Sequence, residues 1–169
     1  MTHEQYEVLS NQAVAACAVV YFLAFVAHLV QWAAGRRVEE PVAAEVHAGG
    51  PDLAEPMQEV EIAESERMAM FGRIGVALTV VAAFVHFVAV VSRGLAADPV
   101  RVPWGNMYEF VLTGTLVLTA GYLLLYRRYS LSWLSPVVTG FVLVTLMIDV
   151  LVLYTPVVPL RDALQSPWL

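Results

Sequence analysis

The stretch Ala13–Ala34, which reads AVAACAVVYFLAFVAHLVQWAA, decides the fold of this chain. Its 22 residues carry no formal charge, and a helix rising 1.5 Å per residue crosses a hydrocarbon core of roughly 30 Å with about 20 residues. Residues 1–12 before it lack the basic amino end of a signal peptide, and the apolar run is too long for one. We therefore expect Ala13–Ala34 to be a retained membrane span, preceded by a short segment outside the membrane.

Three further apolar segments of similar length follow this span. They cover about residues 74–92, 107–126 and 134–154, and Arg, Pro or aromatic residues of the kind found at membrane interfaces bound them. Apolar residues make up 59% of the chain and charged residues 14%, which is more apolar surface than one small soluble core can bury. The sequence predicts an all-α, polytopic membrane protein, built as a bundle of four transmembrane helices.

The acidic residues are concentrated in one part of the chain. Nine of the fifteen lie between Glu39 and Glu66, so the net charge of −6 is a poor guide to partners. Residues 35–72 are rich in Glu, Ala, Val and Pro, with Gly49-Gly50-Pro51 in the middle, and such a segment has little from which to build a core. We expect a flexible loop there, with a helical turn near residues 57–66.

The arginines predict the orientation of the four spans. All nine basic residues are arginines, and six fall on one side of the predicted membrane: Arg36, Arg37, Arg67, Arg73, Arg127 and Arg128. The other three, Arg93, Arg101 and Arg161, fall on the opposite side. The positive-inside rule places the six in the cytoplasm, which puts the acidic loop inside and both termini outside. Scattered singly or in pairs, the arginines form no nucleic-acid footprint. The single Cys17 excludes an intrachain disulfide.

Small and polar residues recur every three or four positions in three of the spans, and so occupy one face of each predicted helix. These residues are Cys17, Tyr21, Ala24, His28, Gln31 and Gly35 in the first span, Gly75, Thr79, Ala82, His86, Ala89 and Arg93 in the second, and Thr115, Thr119, Tyr122 and Tyr126 in the third. In lipid, close packing and hydrogen bonds between helices select such faces. They predict either a structural bundle seam or a functional surface, and a seam does not require a histidine.

His28, His86 and Asp149 lie deep within the predicted spans, where ionisable groups usually face a protein interior and mark function. The imidazole of His86 or of His28 either binds haem iron or forms a hydrogen bond with a neighbouring Thr or Tyr, and the sequence leaves both open. For Asp149 we expect a hydrogen bond with Thr145 one turn away, or a contact with a partner, rather than proton transfer.

The stretch Val102–Phe110, which reads VPWGNMYEF, is the one dense cluster of polar, aromatic and turn residues between two apolar segments. Pro103 and Gly105 indicate a turn. Asn106 stands where the N-cap of the third helix is expected, and Glu109 is placed to reach back in a capping box. The sequence predicts an aromatic, acidic loop at the membrane surface that runs directly into a helix.

This stretch, preceded by a span that contains His86, resembles the amino-terminal half of the CcsB/CcsA/ResC family of system II cytochrome c biogenesis proteins, which handle haem. The family's pattern is a Pro, a short gap, Asn and then Tyr-Glu, and the matching residues are Pro103, Asn106, Tyr108 and Glu109. The resemblance extends from about Phe71 to the end of the chain, including Arg127-Arg128-Tyr129 and residues 160–169.

The resemblance implies delivery of haem b, as cargo, to an apocytochrome c on the outer face of a bacterial plasma membrane. It also implies a ResB/Ccs1-type membrane partner and, indirectly, a thioredoxin-like thiol reductant for the acceptor cysteines. The family's Trp-rich WWD segment is missing from this chain, and no His follows His86. We therefore expect the amino-terminal half of such a protein, without the principal haem ligands.

The resemblance also suggests haem contacts in the loop, each with a structural alternative. Trp104 and Tyr108 wall a porphyrin face or belong to the aromatic belt of the membrane interface. Asn106 orients a haem propionate or caps the third helix.

Charged residues and one histidine complete the candidate haem contacts. The guanidinium groups of Arg101 and Arg93 suit propionates as bidentate partners. Alternatively, Glu109 pairs with one of these arginines, and for Glu109 a salt bridge or a cap is the favoured role. His86 is the candidate ligand of the haem iron.

Two functions without haem contact stay open from the sequence. In one, the four spans are a scaffold that docks the ResB/Ccs1-type partner through their small-residue faces. In the other, they are half of a small transporter, although the lack of an internal repeat or a broken helix argues against this. No acid–base or nucleophile constellation points to a self-contained enzyme.

Overall fold

The computed structural model describes residues 1–45, 54–126, 128–129 and 131–157, with their side chains apart from those of 36–45, 54–61 and 64. The helices are α1 (His3–Glu45), α2 (Ala54–Ala96), α3 (Met107–Tyr126) and α4 (Ser135–Ile148). A 3₁₀ helix, Leu131–Leu134, precedes α4, and a π-helical turn, Asp149–Leu153, extends it. These ranges contain no strand, so the predicted all-α fold is confirmed.

Four helical segments of the described chain are long and apolar enough to cross a membrane: His3–Gly35, Ser65–Ala96, Met107–Tyr126 and Leu131–Leu153. The protein is therefore a four-helix membrane bundle, as predicted. The third span coincides with its prediction at both ends. The first and second are longer than predicted, since α1 already begins at His3 and α2 continues to Ala96.

The segment 35–72, predicted to be a flexible loop, is mostly helical instead. Helix α1 continues to Glu45 and α2 begins at Ala54, so that each contains 43 residues, or about 64 Å at 1.5 Å per residue. Both extend well beyond a hydrocarbon core of roughly 30 Å. The first turns of α2 are rich in Ala, Glu, Met and Arg, which are strong helix formers, and their summed propensity outweighs the loop signals.

Some of the sequence predictions concern residues outside the described ranges. They include Arg127 and Arg161 in the orientation argument, Gly49-Gly50-Pro51 in the acidic segment, and residues 160–169 in the family resemblance. The external tail predicted after residue 154 is described only as far as Val157.

The four helices form a closed arrangement in which α1 contacts α2 and α4, and α3 contacts the same two helices. Their buried faces are the predicted small and polar faces. On α2 every member of that face is buried: Gly75, Thr79, Ala82, His86, Ala89 and Arg93. On α1 and α3 the buried members are Cys17, Tyr21, Ala24, His28, Thr115, Thr119 and Tyr122. The faces are therefore the bundle seam.

Two glycines of α2 allow α1 to approach closely. A Cβ at Gly75 would stand 2.6 Å from the ring of His28, and a Cβ at Gly72 would stand 2.7 Å from the amide nitrogen of Gln31. Real Cβ atoms essentially never come this close to another heavy atom. A small residue at each crossing therefore decides how deeply the polar side chains of α1 enter the seam.

Candidate functional site

The loop between α2 and α3 folds back onto the end of α2. The backbone N–H of Arg101 donates to the carbonyl of Gly94 at 3.3 Å, and the N–H of Trp104 donates to the carbonyl of Val102 at 2.8 Å. A Cβ at Gly94 would stand 2.7 Å from the carbonyl oxygen of Arg101. The backbone of the loop at Arg101 is therefore packed directly against the backbone of α2 at Gly94.

The predicted cap of α3 is present. The side-chain oxygen of Asn106 accepts from the backbone N–H of Glu109 at 2.8 Å. In return, Glu109 Oε2 accepts from the N–H of Gly105 at 2.8 Å, one residue before the position that a standard capping box uses. The carboxylate also lies at the positive end of the α3 dipole, which favours its charge.

Four charged side chains meet above this cap, and we name them the Arg93 cluster: Glu7, Arg93, Arg101 and Glu109. Arg93 Nε lies 3.4 Å from Glu109 Oε1, and Arg93 Nη1 lies 3.7 Å from Glu7 Oε1. Arg101 Nη2 lies 3.5 Å from Glu109 Oε2. Two positive and two negative charges therefore balance within the cluster. The prediction that Glu109 pairs with Arg93 or Arg101 is confirmed for both.

Arg93 joins four parts of the chain. Besides its two carboxylate partners, its Nη2 donates to the backbone carbonyl of Thr155, in the segment after the π-helical turn. Its guanidinium lies 4.9 Å from the ring centroid of Tyr108. Arg93 is 0% exposed and Glu109 is 1% exposed, so removal of either one leaves the other as a buried charge with a single remaining ion-pair partner.

His86 lies about two helical turns before Arg93, deeper in the bundle, and is fully buried. Its Nε2 is 3.0 Å from the carbonyl of Leu112. Because a carbonyl only accepts, Nε2 carries the proton. Its Nδ1 is 3.4 Å from the hydroxyl of Tyr21. Both ring nitrogens are thus engaged, and the hydrogen-bonding alternative describes His86 in this structure.

His28 has a similar environment, with Nε2 at 3.3 Å from Thr79 Oγ1 and Nδ1 at 3.3 Å from Gln31 Oε1. No group of three or more His, Cys, Asp or Glu side chains able to hold a metal ion occurs in the described part of the chain. In this conformation each intramembrane imidazole contacts a neighbouring helix through Nε2, and the prediction that His86 binds haem iron stays a prediction.

Asp149 lies in the π-helical turn and is 0% exposed. Among the described residues neither of its carboxylate oxygens has a hydrogen-bond partner, so the expected bond with the Thr145 side chain is not formed. The backbone N–H of Asp149 donates to the carbonyls of Thr145 and Leu146. The Arg93 cluster is already balanced without this carboxyl group.

The structure brings together four of the six predicted site residues: Arg101, Asn106, Tyr108 and Glu109. Trp104 lies apart, 65% exposed, and His86 lies about 10 Å below Arg93 along α2. Glu7 and Thr155, the other partners of Arg93, were not predicted from the sequence. Glu7 continues the seam face of α1 upwards at helical spacing, and this was the signal that pointed to it.

Comparison with family models, with curated proteins and with solved structures finds no match to this chain. Its function is therefore inferred from the sequence motif Val102–Phe110 and from the geometry of the Arg93 cluster.

Proposed function

We propose that this chain is the amino-terminal part of a CcsB/CcsA/ResC-type cytochrome c assembly protein in a bacterial plasma membrane. It takes part in presenting haem b, the cargo, to apocytochrome c on the outer face. The observation that carries the proposal is the convergence of Arg93 and Arg101 on Glu109. The residues that resemble the family's pattern thereby become one capped and charge-balanced unit at the end of the bundle.

In this proposal the buried residues of the unit and its exposed residues have different roles. Arg93, Tyr108 and Glu109 are buried and hold the loop in place. Trp104 is 65% exposed and the side chain of Arg101 is 16% exposed, so an aromatic face and part of the Arg101 side chain are accessible to the cargo. A porphyrin offers an aromatic plane and propionates, which suit these two groups.

The proposal assigns no iron ligand to the described residues. Ligation through Nδ1 of His86 would displace only the Tyr21 hydroxyl, and the Nε2–H would stay on the carbonyl of Leu112. The role of His86 here is to join α2 to α1 and α3. The ResB/Ccs1-type partner and the thioredoxin-like reductant belong to the proposal through the family resemblance.

Haem titration of the purified protein tests this division. Haemin added in mild detergent should give a shifted Soret band, which Arg101→Gln and Trp104→Ala weaken and which Arg67→Gln, on the exposed surface of α2, leaves unchanged. The conservative His86→Gln variant should keep the position of the band. The proposal is overturned if haemin gives no shifted Soret band, or if neither Arg101→Gln nor Trp104→Ala weakens it. A shift of the band in His86→Gln restores His86 as a ligand.

The proposed orientation has its own test, because the one native cysteine, Cys17, is fully buried. Val102→Cys, at a 62% exposed loop position, should react with a membrane-impermeant maleimide in intact cells. Ser65→Cys, at an exposed position near the other end of α2, should react only after permeabilisation. Reversed labelling rejects presentation of haem from this loop on the outer face.

A second candidate is a scaffold that docks the ResB/Ccs1-type partner without contacting haem. Two observations favour it. His86 and His28 both form hydrogen bonds between helices, and α3 has a row of exposed apolar side chains on its outer face. In that row Phe110 is 60%, Val117 65% and Leu124 81% exposed. Co-purification of the partner that is lost in Val117→Arg, combined with no haemin response, would select the scaffold.

A further inference from the structure

We propose that the groove beside Arg73, at the opposite end of the bundle from the Arg93 cluster, binds the phosphate headgroup of an anionic phospholipid. The groove has a volume of about 430 Å³ and opens between the ends of α1, α2 and α3. Its lining residues are Gln31, Ala69, Gly72, Arg73, Val76, Ala77 and Tyr126. The inference does not depend on the role of the chain in haem delivery.

Arg73 supplies the charge of this site. Its Nε donates to the backbone carbonyl of Ala69 at 3.3 Å, one turn earlier in the same helix. No ion pair links Arg73 to a described carboxylate, in contrast to Arg93. The guanidinium is therefore anchored through Nε and keeps its two terminal nitrogens for a ligand. A planar pair of N–H donors matches the oxygens of a phosphate.

Tyr126 and Gln31 form the sides of the groove. Tyr126, the last residue of α3, is half-buried and packs edge-on against Tyr122 with ring centroids 5.6 Å apart. The amide of Gln31 lies on the bare backbone of Gly72, where a Cβ would stand 2.7 Å from it. The absence of a side chain at Gly72 thus leaves room for the Gln31 amide at the groove. The phenol of Tyr126 and the amide of Gln31 line the groove together with Arg73.

The apolar surface next to the groove favours a phospholipid over a free phosphate ion. Val76 and Ala77 follow Arg73 by three and four residues and line the groove. Further along the outward face of α2, Val80 is 50% exposed and Phe84 is 68% exposed. A lipid acyl chain laid along this row keeps its apolar contacts while the headgroup meets Arg73. A free phosphate ion makes no use of the row.

The position of the groove fits a headgroup as well. Arg73 lines the groove beside Tyr126, the last residue of α3, and an arginine and a tyrosine at the end of a span are typical of the membrane interface. Basic pockets between transmembrane helices at this level bind anionic lipid headgroups, because the charge is close to the phosphates and only partly screened. Arg67 and Arg128 are exposed at the same end, as is Glu66, so the charge that the groove itself offers a headgroup is that of Arg73.

Native mass spectrometry of the purified protein tests the proposal. Phosphatidylglycerol, cardiolipin and phosphatidylcholine are each added to delipidated protein, and bound lipid is counted for the wild type, Arg73→Gln and Arg67→Gln. Arg67→Gln removes the same charge from an exposed position of the same helix outside the groove. We expect the anionic lipids to bind the wild type and Arg67→Gln alike, and Arg73→Gln to bind them about tenfold more weakly.

Two further measurements keep the proposal falsifiable. Val76→Trp fills the groove without changing charge and should also reduce binding of the anionic lipids, while an unchanged melting temperature shows that the variants are folded. Inorganic phosphate at millimolar concentration should not displace the lipid. Equal retention of phosphatidylcholine, displacement by inorganic phosphate, or equal loss in Arg67→Gln would each overturn the assignment.

Discussion

Two arginines on α2, Arg93 and Arg73, stand near opposite ends of the bundle and have opposite environments. Arg93 is fully buried and touches Glu7, Glu109, Tyr108 and the carbonyl of Thr155. Arg73 is exposed, and within the described part of the chain its side chain has one hydrogen bond, to its own helix. The difference teaches that burial, more than residue type, decides whether an intramembrane charge ties the fold together or stays accessible to a ligand.

The largest expected effect comes from removing the buried charge. Arg93→Gln leaves Glu7 and Glu109 with less compensation and should lower the free energy of unfolding by about 3–5 kcal/mol. Arg73→Gln, at an exposed position, should change it by less than about 0.5 kcal/mol. Unfolding by SDS titration in mixed micelles measures both values.

A double-mutant cycle sharpens this result. Because Arg93 and Glu109 are direct partners, the losses from Arg93→Gln and Glu109→Gln should be non-additive, with a smaller loss in the double variant than the sum of the two. Similar losses for Arg93→Gln and Arg73→Gln would contradict the contrast between the two ends.

The second effect concerns the close backbone approach beside the Arg93 cluster. Gly94→Ala places a methyl group 2.7 Å from the carbonyl oxygen of Arg101, and because a backbone atom cannot rotate away, we expect a loss of about 1–3 kcal/mol. Gly114→Ala is the matched control, since nothing lies within 4 Å of its Cβ position. The control should be neutral or stabilising by up to about 1 kcal/mol. Thermal unfolding of both variants decides the matter.

The third effect isolates the cap from the ion pairs. Asn106→Ala removes the acceptor of the Glu109 N–H and should cost about 1 kcal/mol. Asn106→Asp keeps an acceptor at the same place and should retain most of the stability. If the Asp variant is as unstable as the Ala variant, the side chain of Asn106 does not act as a cap.

The smallest effect is expected at Asp149, a buried carboxyl group without a hydrogen-bond partner among the described residues. Asp149→Asn removes a charge-bearing group that no described residue bonds, so the melting temperature should stay the same or rise. Glu109→Gln, at an equally buried but paired carboxylate, should lower it. A clear loss in Asp149→Asn would mean that this carboxyl group has a stabilising partner after all.

Much of the site was predictable because its signals are local. A cap requires two residues at fixed spacing, and Asn106 with Glu109 satisfied that spacing in the sequence. Hydrophobic and small-residue periodicity likewise identified the buried faces of α1, α2 and α3. Helical spacing places Glu7 on the seam face of α1, but that Glu7 and Thr155 meet Arg93 was not predictable, because it depends on the rotation of α1 and on the path of the chain after α4.

The sequence by itself determined the four spans, the faces that form the seam and the cap of α3, because hydropathy and helical spacing act within one segment. The tertiary structure alone decided that Glu109 receives two arginines, that no described arginine forms an ion pair with Asp149, and that His86 is held by Leu112 and Tyr21. It also decided that Arg73 stays open beside a groove. Pairing over such distances is set by how four helices rotate and pack against one another, and no single segment encodes that geometry.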